Sequence, residues 1–233
     1  MAKQTFLELT NRILARVSLA EATTLVGSTG HTLMAQRFLN ESQNNLFFLP
    51  YNWYSLYVTR TFVTVASTAE YAVATDFGRG LDLLDVTGDR LLCETLLRNI
   101  DDVDPNSNTT GSPTHYCYVG GSYRLYPIPS AVHTIRDRYW KQPTELTTNA
   151  QLYDLPLECE NVLLLGAWML MATYMNKLEV ALQLITQYDK ALKKAKVAND
   201  RLLDRALYIN SYPHNSYYGI FPPRFPNTYG AGG

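Results

Sequence analysis

The sequence predicts an α+β protein with helices at both chain ends and a strand-rich middle. Apolar residues recur at helical spacing near the N-terminus and again after Pro156. Between them, Tyr57–Val65 is almost entirely β-branched or aromatic, which suits a pleated surface. Two runs of strand character also flank Gly120-Gly121, a pair that supplies the positive φ angles of a two-residue hairpin turn.

Thr5 followed three residues later by Glu8 is a capping box, and Phe6, Leu9, Ile13 and Val17 form one apolar stripe, so a helix is expected from about 5 to 20. Gly27-Ser28-Thr29-Gly30 reads as a loop that caps a second helix through Ser28 or Thr29. Leu33, Met34 and Phe38 carry that helix to about Asn44. After Pro50 the texture turns to strand. With Gly120-Gly121 as the turn, Tyr118 faces Tyr123 and Tyr116 faces Leu125 on one side, while Cys117 and Arg124 share the other. Further strands are expected within Asp76–Arg90 and Ala131–Trp140, with a short helix at about 94–100.

Pro156 suits a first helical turn, and Val162, Leu163, Leu164, Leu165, Trp168, Leu170 and Met171 make the following helix apolar on nearly every side. This helix is expected at the centre of the fold, with Trp168 packed under its neighbours. From Leu178 the stripe Ala181, Leu182, Ile185, Tyr188, Leu192 and Ala195, continued through Leu202 and Ala206, predicts a last helix about 40 Å long. Its outer face mixes Lys190, Lys193 and Lys194 with Asp189, Asp200 and Asp204, a pattern suited to complementary intersubunit rims.

The last 26 residues carry 5 Tyr, 2 Phe, 4 Pro and 4 Gly but one charge, Arg224. Ordinary disordered tails are polar and charged. Tyr217, Tyr218, Phe221 and Phe225, spaced by glycine and proline, therefore predict an extended arm that docks on a partner. The alternative is a floppy end, or one folded back on its own domain.

Composition limits the function. Lys and Arg total 20 against 21 Asp and Glu, without the basic excess of a protein that grips nucleic acid or an anionic membrane non-specifically. Cys93, Cys117 and Cys159 lie far apart and odd in number, as reduced thiols of a protein made inside the cell. The apolar run Val162–Met175 is 14 residues, short of a bilayer span.

No catalytic constellation stands out. The four histidines, His31, His115, His133 and His214, include no pair at metal-ligand spacing. Asp102–Asn108 places acidic or amide groups at alternate positions, as a calcium loop does. It has Ser107 and Pro113 where the loop needs glycine and glutamate, which leaves a polar turn. Arg136, Arg138 and Lys141 suggest a basic strip, a solvated face being the plainer reading. A glycan hydrolase would need two carboxylates in one cleft, with Asp101, Asp102, Glu158 and Glu160 the first to consider. A cell-wall hydrolase and a small nucleic-acid binder are thus the alternatives to a structural protein.

Thr5–Leu14, Ala66–Arg79, Gly111–Tyr116, Leu125–Pro129 and Arg138–Pro143, taken in order, resemble the head-to-tail adaptor proteins of tailed bacteriophages. The likeness, over about residues 3–195, is to the group of short-tailed phages that includes tail tubular protein A. The resemblance implies a structural virion protein without cofactor. Helices from both chain ends would form a bundle, residues 1–54 and 151–208, around an inserted antiparallel β domain, residues 55–150. An extended arm, residues 209–233, would follow. It also implies a twelve-subunit ring at the head-tail junction that contacts the portal protein and the tail or nozzle protein. Genomic DNA would meet the ring only by passage through its channel, and no membrane is involved. The free protein would stay monomeric until it meets the portal.

Overall fold

Thr5 accepts a hydrogen bond from the Glu8 backbone N–H at 3.3 Å and donates its own N–H to the Glu8 carboxylate at 2.7 Å, so the capping box opens helix α1, Phe6–Arg16. In the computed structural model, which describes residues 2–210, this helix stops a turn earlier than its periodicity suggests. Ser18 takes φ 63°, and the Asn11 side chain holds both backbone groups of Ala22, turning the chain away. Helix α2, Gly30–Phe48, starts after Thr29, whose side chain makes no capping bond. It runs four residues past Asn44 because Leu46 and Phe47 are buried and no breaker precedes Pro50.

The middle of the chain forms two four-stranded sheets and a short pair. The first sheet joins β1 (Tyr57–Val63), β10 (Thr134–Lys141), β3 (Phe77–Asp85) and β4 (Arg90–Leu91) in that order. The second joins β2 (Glu70–Ala72), β8 (Ser122–Tyr126), β7 (His115–Val119) and β5 (Cys93–Glu94). The short pair is β6 (Thr110–Gly111) with β9 (Ile128–Pro129). The ladders are antiparallel except β5 with β7 and β6 with β9, two-residue parallel pairings that the sequence did not suggest.

The β7–β8 hairpin has the expected register, Tyr118 opposite Tyr123 and Tyr116 opposite Leu125, with Gly120 at φ 57° and Gly121 at φ 87°. Its outer side is not open: helix α3, Leu97–Val103, packs on β7, Cys117 is buried, and Arg124 reaches Asp101 at 3.7 Å.

Between the two sheets Leu83, Leu92, Tyr116, Tyr123, Leu125 and Ile135 form one core, edged by Phe62, Tyr71, Val73 and Phe77. The rings meet edge-to-face or stacked, as in Tyr116–Tyr123 at 5.9 Å and Phe77–Tyr118 at 5.3 Å. Of the 17 tyrosines, Tyr116, Tyr123, Tyr139 and Tyr153 are buried. Asp137, fully buried on β10, accepts hydrogen bonds from Arg60 at 2.9 Å and the Tyr123 hydroxyl at 3.0 Å. Burial pushes its carboxyl above the ordinary range. At the end of β3, buried Asp85 meets His133 Nδ1 at 2.9 Å.

The second core belongs to the helices. Pro156 precedes a 3₁₀ turn, Leu157–Cys159, rather than opening the helix itself, and α4, Glu160–Tyr174, follows. Val162, Leu163, Leu164, Ala167 and Met171 are buried, and α4 packs against α1, α2 and the last helix, α5 (Leu178–Asn210), the central place its composition suggests. A Cβ on Gly166 would collide with Ser42 of α2 and press on Tyr188 of α5, so only glycine lets three helices approach there. Between α4 and α5 the chain turns at Asn176, which takes φ 58°.

The lobes meet through α2 and the first sheet. Phe47 packs over Gly78, Trp140 joins the helical core, and Arg79 donates to Asn52 at 2.9 Å and to the Leu49 carbonyl at 3.3 Å.

A candidate assembly surface on the last helix

Helix α5 has 33 residues, about 50 Å at 1.5 Å per residue, longer than expected. It meets the core through Leu184, Tyr188, Leu192, Ala195 and Asn199. Further along, Asn199 accepts the Tyr54 N–H at 2.9 Å and donates to the Asn52 carbonyl at 2.9 Å. The Tyr51 hydroxyl donates to the Lys196 carbonyl at 2.7 Å and to Asp200 at 2.5 Å, while Lys196 Nζ lies 5.1 Å above the Tyr51 ring. Burial first, and the Asp200 carboxylate second, push the Tyr51 phenol up to about 12. This clasp ties α5 to the chain that leaves α2. It rests on Tyr51 and Asn199, to which the sequence reading assigned no role, since neither belongs to a motif.

The sequence placed Leu178, Leu182 and Ile185 on the core-facing stripe. They are 56%, 66% and 45% exposed. The stripe that meets α4 is set instead by Leu184 and Tyr188, which rotates the first two turns and leaves the three side chains uncovered. A monomer rarely presents large aliphatic residues in such a row without a partner.

On the other flank lies a groove of about 260 Å³ lined by Arg16, Leu165, Trp168, Gln187, Lys190 and Lys194, among others. Trp168 is only half-buried, contrary to the expectation of a core tryptophan. Leu163, Leu164 and Ala167 take the core side of α4, and the Trp168 ring turns outward beneath the Arg16 guanidinium, 4.7 Å away. Arg16 Nη1 is buried without a hydrogen-bond partner among the described residues. Burial, with Arg12 nearby, lowers the Arg16 pKa. Arg16 was missed in the sequence because an arginine in the last turn of a helix reads as a dipole partner.

Lys190, Lys193 and Lys194 are exposed and make no ion pair among the described residues; Asp200 is exposed but engaged by Tyr51. The Asp204 side chain and the whole of Tyr217, Tyr218, Phe221 and Phe225 lie outside the described residues.

The remaining candidates are absorbed by the fold. Asp104 accepts the backbone N–H groups of Thr109 at 2.8 Å and Asn108 at 3.1 Å, which lowers its pKa and makes the segment a closed turn. Of the basic strip, Arg138 is clamped by Asp82 at 2.5 Å and Lys141 by Asp154 at 3.0 Å, while Arg136 is left exposed. Asp101 and Asp102 belong to α3, whereas Glu158 lies in the 3₁₀ turn before α4 and Glu160 opens α4. Glu160 is held by Arg12 at 3.1 Å and the Tyr153 hydroxyl at 3.0 Å. The three cysteines are free, with Cys159 buried and its thiol pushed up.

Compared with protein families, the chain matches the model described as SU10 adaptor protein over residues 4–209, from the capping box to the end of α5. It belongs to the SU10 adaptor protein family. This is a family of phage head-to-tail adaptors, structural proteins of the virion that associate with other virion proteins such as portal and tail, and the resemblance read from the sequence agrees with it. No curated protein matches the adaptor. Among the described residues of the adaptor, no helix is long and apolar enough to cross a membrane.

Proposed function

We propose that the adaptor forms a ring at the head-tail junction, joining the portal to the tail or nozzle around a channel for the genome, with twelve copies as the resemblance implies. The observation that carries this reading is the uncovered surface of α5 in a chain of an adaptor family: an apolar row on one flank and a cationic groove on the other. An enzyme needs a cleft that gathers reacting groups, whereas the exposed features here suit contact with other protein. In this reading the helices of residues 1–54 and 151–208 are the ring-forming part and residues 55–150 an inserted domain. The segment 209–233 docks through Tyr217, Tyr218, Phe221 and Phe225 on a neighbouring virion protein.

Light scattering and negative-stain images of the adaptor with and without the portal of the same phage test the reading. Rings are expected in the mixture; an adaptor that never enters a complex larger than a dimer overturns it. Replacing the four aromatic residues of the arm with Ser should weaken co-sedimentation with portal or tail protein and leave the melting temperature unchanged. Undiminished binding to both removes the docking role.

A further inference from the structure

Successive residues advance by about 100° around a helix. Leu178, Leu182, Ile185 and Asp189 therefore fall on one stripe of α5, and Gln187, Lys190 and Lys194 on another, each about 100° from the core-facing stripe and on opposite sides of it. The first stripe is apolar through Ile185 and then carries Asp189, which makes no ion pair among the described residues; Lys193 and Lys196 follow it further along the helix. The second forms the wall of the groove in which Arg16 covers Trp168 and has a buried guanidinium nitrogen without a partner among the described residues. One flank thus offers apolar side chains and an anion, and the other an aromatic floor and cations, which is the charge and shape relation of two sides of one head-to-tail contact.

We infer that the groove of Arg16, Trp168, Lys190 and Lys194 receives the Leu182–Ile185–Asp189 stripe of a second copy of the same chain. This rests on the ring reading above and adds which surfaces meet. In a cyclic ring all copies stand at the same height, so two α5 helices running along the ring axis meet at nearly equal residue numbers. Asp189 then lies level with Lys190 of its neighbour and about 7.5 Å along the axis from Lys194, and Ile185 lies about 3 Å along the axis from Gln187 at the groove edge. A face-to-face dimer would instead set one groove against another and bring cation to cation.

Charge exchange between two variants tests the contact. Asp189→Lys spoils the stripe and leaves the groove intact, whereas the double variant Lys190→Glu, Lys194→Glu spoils the groove and leaves the stripe intact. All three residues are exposed, so both proteins should keep the parent far-UV circular dichroism and melting temperature. Each alone should lose the ring that the parent forms with the portal. Mixed in equal amounts they should regain it. The cation introduced by Asp189→Lys then faces the two carboxylates introduced by Lys190→Glu and Lys194→Glu at one contact, with the native pairing at the next.

If both variants assemble singly as the parent does, the contact lies elsewhere and the ring reading stands. If the parent forms rings, each variant alone fails and the mixture also fails, the pairing of these two flanks is wrong. If the parent itself never assembles with the portal, the ring reading and this contact fall together.

Discussion

The helical lobe takes its core from both chain ends, Phe6, Leu9 and Ile13 of α1 against Val162, Leu163 and Met171 of α4, and fills it almost wholly with apolar side chains. The sandwich has a much smaller aliphatic core and completes it with tyrosine rings and fully buried Asp85 and Asp137. The difference shows two ways of making an interior. Aliphatic packing is non-directional and forgiving, whereas a buried carboxylate is tolerable only when each acceptor is met by a donor held in place. The sandwich should therefore be the more sensitive of the two to a single polar change and to pH.

The largest effect is expected in the helical core. Trp53 is 1% exposed and donates Nε1–H to the Leu46 carbonyl at 2.9 Å, so Trp53→Ala should cost about 4 kcal/mol in chemical denaturation. A cost below about 1 kcal/mol would mean that this lobe is loosely packed.

Next in size, Asp137→Ala should destabilise by about 3 kcal/mol, since it strands the Arg60 guanidinium and the Tyr123 hydroxyl together. The loss should appear first in tyrosine near-UV dichroism. Simultaneous loss of helical signal would show that the lobes unfold as one unit.

The pH dependence sharpens the contrast. Burial raises the Asp137 pKa in the fold, so its contribution is full below the ordinary carboxylate pKa and declines as pH rises through the folded value. Asp137→Asn, measured against the parent across the acid range, should show its greatest deficit at the lowest pH. A deficit that grows with rising pH would contradict the burial argument. Glu8 behaves in the opposite way, because the Thr5 N–H and hydroxyl favour its charged form and lower its pKa from 4.5. That contribution is present above pH 4.5 and fades as pH falls through the lowered value.

The smallest effects on stability come from the surface. Trp168→Ala should cost only about 1 kcal/mol, because the ring is half-exposed beneath Arg16, yet it should abolish ring formation with the portal. A Trp168→Ala protein that unfolds readily would return this residue to the core. Thr5→Ala should cost about 1 kcal/mol through the lost cap, read as a lowered melting temperature with assembly intact.

Local chemistry was legible in the sequence because it acts over a few residues. The capping box at Thr5, the Gly120-Gly121 turn with its tyrosine pairing and the all-round apolar α4 each follow from neighbours in the chain, as does the α+β class. The order of short motifs also pointed to the adaptor family. What distant segments do to one another was not legible. The register of α5 on α4 exposed Leu178, Leu182 and Ile185 and turned Trp168 toward Arg16, although their spacing alone puts them in a core. The clasp of Tyr51 with Asn199 and Asp200, and the clamps on Arg138 and Lys141, join residues many turns apart. Periodicity states that a helix has an apolar face, but only the packed neighbours decide how that face is rotated and which part of it remains for a partner.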